Sequence, residues 1–281
     1  MKLKRSRAKQ LNLKPRTQLS PVMEKSCLVA SAKSSYQEAE RDIELMMGMR
    51  VGHSNLHRLV QRSEIPEGQS QKNIESLSVD GGKVRLRTKE QGPCEWRDYK
   101  AVSLHNSVCG AYFQDNEALV AWVQRQPLSS MITCVGDGHD GVWNIIKPLA
   151  PDSKRREVLD WFHLLENLYK MRNSRPYLER LKALLWSGFV EDVWEELRPL
   201  DNDTIKKFRA YLTKHRHRII PYDLYQALGL PIGSGSVEST VKRLGARLKI
   251  SGAQWLPHSV PQILRLRCAY LNGDISLSIS S

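Results

Sequence analysis

Three acidic residues stand out by position. Asp80 follows the apolar-alternating run IESLSV and precedes Gly81 and Gly82. Asp137 ends the run MITCVG and is followed by Gly138. Glu238 comes after LPIGSGSV and opens a basic stretch, STVKRLGARLK. Carboxylates are hard oxygen donors, suited to Mg²⁺ or Mn²⁺ more than to zinc, which prefers His and Cys. Two such ions about 4 Å apart can activate a water or a hydroxyl and stabilise the leaving oxygen of an in-line phosphodiester displacement. Glycine neighbours let a bulky ligand approach the backbone closely. Each acid alone also has a plain structural role. Asp80 beside two glycines reads as a turn former, and Glu238 near a helix start gains from the macrodipole while serines before it can cap.

For the three to act together, a sheet must bring them to one edge. IESLSVDGGKVRLRT reads as two strands joined by a tight Gly81–Gly82 turn, with Asp80 closing the first. A further strand is expected over Tyr99–Leu104, a helix over about Asn116–Arg125, and a buried strand over MITCVGDG ending at Asp137. A helix around Val142–Leu149 and another strand candidate, REVLDWFH, follow. From Leu164 to about Leu228 apolar residues recur three and four apart, a helical block, and the last acid lies on a helix beyond it. This order predicts an α/β fold with an all-helical insertion before Glu238, its acids facing the carboxyl edge of the sheet.

The charge balance points to the partner. Across 281 residues Lys and Arg exceed the acids to give a net charge of +13, which favours a polyanion, most often nucleic acid. Residues 1–34 are expected as a basic flexible arm, with Pro15 and Pro21 breaking any helix. In 35–62, Tyr36, Ala39, Ile43 and Met46 or Met47 fall at helical spacing before Gly48, and a second helix is expected from about Ser54 to Gln61. Either a helix-turn-helix presenting His53, Asn55, His57, Arg58 and Arg62 to DNA, or a two-helix packing hairpin, fits that pattern. Residues 63–73 read as a linker, 74–272 as the α/β domain with its insertion at about 164–229, and 273–281 as a tail. After Glu238, Lys242, Arg243, Arg247 and Lys249 form a basic face for a DNA strand, or a solvated one. Trp186 and Trp194 could stack on an unpaired base or fill the core, and KHRHR, Lys214 to Arg218, is a further candidate phosphate contact. The five cysteines are scattered with no C-x-x-C pair, as reduced thiols are. With no long apolar run and no secretory signal, a cytoplasmic protein is expected, with no membrane contact.

The segments SVDGGKVRLR, VGDGHDGVWN and LPIGSGSVESTVKR, in that order, resemble the signatures of bacterial insertion-sequence transposases of the ISKra family, DDE transposases with an RNase H-like core. The similarity runs from about Ser35 to Asn272. It implies an RNase H-like mixed sheet flanked by helices, with Asp80, Asp137 and Glu238 as the catalytic acids holding two Mg²⁺ or Mn²⁺ ions. Asp140 is a close rival to Asp137, set apart by lying where a helix begins. The same comparison draws in Asp160 and His163 of DWFH, which match a Cys-or-Asp, two residues, then His pattern of several transposase superfamilies. It implies DNA cleavage and strand transfer at the terminal inverted repeats of an insertion sequence, by a homodimer or larger synaptic assembly near the bacterial nucleoid. A nuclease on the same core, or a transposon-derived non-catalytic regulator, would share many of these features. The region ahead of Asp80 is shorter than is usual in that family.

Overall fold

The computed structural model describes residues 19–88, 94–105 and 107–275. The chain divides into two compact units, one of residues 69–82 and 98–242, the other of 1–68, 83–97 and 243–281.

The first of these units is built on the sheet. Five strands, β1 (Ile74–Leu86), β2 (Glu95–Leu104), β3 (Cys109–Phe113), β4 (Leu128–Gly136) and β5 (Arg155–Leu159), lie in the order β3-β2-β1-β4-β5. β1 runs parallel to β4 and β4 to β5, whereas β2 and β3 are antiparallel. The central strands read as apolar runs because both their faces are covered: Leu77, Val79, Ile132, Cys134 and Val135 are buried. The fold is therefore α/β, with a mixed sheet flanked by helices. α4 (Asn116–Gln124), capped by Asp115, and α5 (Asp140–Ile146) flank the sheet. The helical block is α6 (Trp161–Tyr169), α7 (Arg175–Trp186), α8 (Val190–Leu197), α9 (Asp203–His215) and α10 (Tyr222–Ala227). Its inward residues, among them Leu164, Leu181, Val193, Phe208 and Tyr222, join the same apolar core as the strands. The last acid lies on α11 (Gly235–Leu248).

Several expectations change. Gly81 and Gly82 make no turn; β1 passes through them without a break, so Asp80 lies inside a strand rather than at its end. The need for glycine is close approach: a Cβ on Gly82 would stand 2.3 Å from the Tyr99 ring. REVLDWFH is half strand and half helix, because Asp160 caps α6 through the His163 N–H. β3 was not anticipated; CGAYF is short and carries no alternation. The expected linker is packed from Gln69 on, where the Ser70 N–H donates to the Gln126 side chain at 2.9 Å.

The other unit is largely helical. α1 (Pro21–Lys33) stands within the stretch expected as an arm. Pro21 starts it instead of breaking it, since the first turn needs no proline N–H and Ser20 caps; residues 1–18 lie outside the described residues. α2 (Tyr36–Met47) opens with a capping box between Ser35 and Glu38 and ends at Gly48, φ 64°. Met46 and Met47 are exposed, so its inner face is Ala39 and Ile43. α3 (His53–Arg62) buries Leu56, Leu59 and Val60. Glu40 of α2 supplies its missing cap by accepting the His53 N–H at 2.8 Å. α12 (Val260–Asn272) packs on α1 and α3, and its Gln262 side chain donates to the Val60 and Ser63 carbonyls. Among the described residues no helix is long and apolar enough to cross a membrane.

Candidate functional site

Parallel pairing brings the first two acids together. Val79 of β1 is the partner of Gly136 of β4, and the next residue on each chain is an aspartate. Asp80 and Asp137, with Val79, His163, Ser234, Glu238, Val241 and Lys242, line a cleft of about 260 Å³. Burial raises the Asp80 pKa; the Gly81 N–H and the Lys100 charge oppose this, while the charges of Asp137 and Glu238 push the same way as burial. The Asp137 carboxylate accepts the His139 N–H at 2.9 Å, which shapes the turn after β4. Asp140 has a different setting. It is the first residue of α5, is exposed, and pairs with Lys214 at 2.6 Å.

Asp160 organises the third acid. Its side chain is fully buried, with one oxygen accepting the His163 N–H at 2.8 Å and lying 3.1 Å from His163 Nδ1. The other accepts the N–H of Ser234, in the glycine-serine loop ahead of α11. The Trp161 N–H donates to the Ile232 carbonyl of that loop at 3.0 Å, and the Asp160 N–H to the Gly136 carbonyl at 2.8 Å. Ser234 Oγ in turn donates to Glu238 Oε1 at 3.1 Å. Burial opposes the Asp160 charge, yet these hydrogen bonds hold its pKa below the usual range. Contact with Asp160 lifts His163 to about 9 against the effect of burial, with the Asp137 and Glu166 charges acting in the same direction. Among the described residues, Asp160, His163 and Glu238 form the set of potential ligands whose atoms lie within 4.8 Å of one another. Ser234 bridges Asp160 to Glu238, and His163 meets Asp160 directly. Asp80 and Asp137 lie outside that set, although they share the cleft with Glu238 and the charges of Asp137 and Glu238 act against that of Asp80.

Some site residues escape a reading of the sequence. Ser236 Oγ donates to Ser103 Oγ at 2.9 Å and lies 3.4 Å from Ser78 Oγ, which meets His105 Nε2 at 3.0 Å. This polar chain seats the start of α11 on the sheet, and burial holds His105 down to about 4. Tyr211 of α9 occupies the space a side chain on Gly138 would need, 2.6 Å from its Cβ position. Burial, then the charges of Asp137 and Asp160, push its hydroxyl pKa up. Nothing local in the sequence pairs Tyr211 with Gly138.

The basic candidates separate. Lys242 is exposed, its Nζ 4.0 Å from Glu238 Oε2. Arg243 and Lys249 are exposed, whereas Arg247 is buried and does not belong to a solvent-facing basic surface. Its Nε donates to the Ser31 carbonyl at 2.7 Å, and its guanidinium lies over the rings of Tyr36 and Trp255. Asn55, His57, Arg58 and Arg62 are all exposed on α3, while His53 is held by Glu40. In KHRHR, Lys214 and Arg216 pair with Asp140 and Glu191, Arg218 pairs with Glu157, and His215 is buried. Trp186 packs on Trp161 and Tyr222, and Trp194 donates to Thr213 beneath Arg209. No protein-family profile and no curated protein matches the chain.

Proposed function

We propose that the chain is a DDE transposase on an RNase H-like core, cutting and joining DNA at the ends of an insertion sequence. One observation carries this reading: Asp80 within β1, Asp137 directly after the parallel strand β4, and Glu238 on a late helix line a single cleft. The strand order β3-β2-β1-β4-β5, with β2 and β3 antiparallel and the rest of the named pairs parallel, supports the RNase H-like part.

Asp80, Asp137 and Glu238 would hold two Mg²⁺ or Mn²⁺ ions, which supply activation of water or a 3′-hydroxyl and neutralise charge at the phosphodiester. The chain's own residues do the rest. Asp160 and Ser234 fix Glu238 in direction. His163, charged at neutral pH with Nδ1 3.1 Å from Asp160, would offer Nε2–H to a phosphate oxygen. Lys242 offsets the repulsion that the acids exert on DNA. The exposed basic residues of α3 and the net positive charge suit duplex binding, and a homodimer or larger assembly would synapse the two ends.

The test is strand transfer with Mg²⁺ and a pre-cleaved element end. Joined product that disappears in Asp137→Ala supports the proposal. Cleavage without joining would make the protein a nuclease. Sequence-specific binding that Asp137→Ala leaves intact, with no cleavage under any metal, would make it a regulator.

A further inference from the structure

β2 also carries Lys100, whose charge acts on Asp80. Lys100 is half-buried, and its ammonium makes no hydrogen bond and no ion pair with the described residues. Its Nζ lies 2.9 Å, and its Cδ 3.3 Å, from the position a Cβ on Gly81 would take. The same Nζ lies 3.5 Å from the corresponding position on Gly141. Two backbone sites without side chains therefore frame the ammonium, one of them directly after Asp80. Any side chain at position 81 would displace it.

A long lysine side chain ordinarily carries its head to water, or closes an ion pair when an acid is near. Lys100 closes no such pair, although its charge acts on the Asp80 carboxyl. Its three N–H donors are left for a ligand oxygen. An anion in the cleft needs such a group, because three carboxylates repel it and because negative charge gathers on the phosphoryl oxygens as displacement proceeds.

We propose that Lys100 is a substrate contact of this site, its ammonium donating to a non-bridging oxygen of the phosphodiester that lies against Asp80. This rests on the transposase reading of the same cleft. Lys100→Met and Lys100→Arg separate charge from bulk. With Ca²⁺ present, anisotropy of a fluorescein-labelled DNA duplex should show Lys100→Met lowering the log–log salt dependence of affinity by about 0.9. Mn²⁺-dependent nicking of supercoiled plasmid should fall by about 100-fold in the same variant. Lys100→Arg should keep most of both, and neither variant should change the thermal midpoint. A wild type that binds and nicks while Lys100→Met matches it overturns the contact alone. Equal losses in both variants with a lowered thermal midpoint also overturn it, since the side chain would then be holding the fold. A wild type that neither binds the duplex nor nicks plasmid overturns the transposase reading and this contact together.

Discussion

The buried carboxylate of Asp160 accepts the backbone N–H of Ser234, a residue 74 positions later in the chain. The loop that delivers Glu238 is thus tied to the strand end from which α6 departs. Asp160→Ala removes a helix cap, worth about 1 kcal/mol, and leaves the Ser234 N–H unpaired at a cost of about 1–3 kcal/mol. A loss of about 2–4 kcal/mol in urea unfolding is expected, together with loss of activity, whereas Ser234→Ala, which keeps the N–H, should lose far less stability.

Removing an acid from the cleft has the opposite effect on stability. The Asp80 carboxyl is raised in pKa by burial and by facing Asp137 and Glu238, so its charge costs the folded chain stability. Asp80→Asn should raise the thermal midpoint at pH 7 in chelator while abolishing nicking. Added Mg²⁺ or Mn²⁺ should stabilise the wild type more than the variant. Equal shifts in the two proteins would remove Asp80 from the ligand set.

Acid should weaken the fold before its carboxylates titrate. His105 and His215 are held neutral, each with a pKa near 4, by burial first of all. The unfolded chain takes up protons near pH 6.5 that these rings refuse, so their contribution is whole above that pH and is lost as pH falls toward 4. The slope is up to about 1.4 kcal/mol per pH unit per ring. Circular dichroism of urea unfolding across this window should show it, and His105→Gln should flatten it by about half.

Glycines that look alike in the sequence should respond differently. Gly82→Ala forces a methyl into the Tyr99 ring and should cost about 1–3 kcal/mol, read from chemical denaturation. Gly235→Ala meets nothing within 4 Å at the first residue of α11 and should be neutral or slightly stabilising.

Arg247 and Lys249 should part company in the same way. Arg247→Ala loses the bond to Ser31 and the packing on Tyr36 and Trp255, and should destabilise by about 2–4 kcal/mol. Lys249→Ala, at an exposed position, should stay within about 0.5 kcal/mol and act, if at all, on DNA affinity.

What could be read from residues alone follows from range. Asp80 and Asp137 are visible because each comes at the end of an apolar run, a local signal, and a parallel sheet then sets such ends side by side. Glu238 is visible through its glycines and serines. The clamp that aims it is not, because Asp160 and Ser234 are related only through the fold. Arg247 shares the basic spacing of Lys242 and Arg243, but its burial depends on a carbonyl of α1, in a stretch whose two prolines read as helix breakers. The Gly81–Gly82 pair reads as a turn for the same reason: the Tyr99 ring that explains it lies on another strand.

The pairing of Val79 with Gly136 also limits how the chain's length can change. The ladder is regular from Ser76 to Val79, and successive side chains there point to opposite faces, so gaining or losing one residue between Ser76 and Asp80 would swing the carboxylate to the wrong side of the sheet. The same holds for Thr133–Gly136 of β4, leading to Asp137. Between α6 and α7, or between α8 and α9, an added residue shifts no ladder. Single-residue deletions scanned along the chain should therefore abolish activity in two narrow windows ahead of the aspartates, and be tolerated in the joints between helices of the insertion.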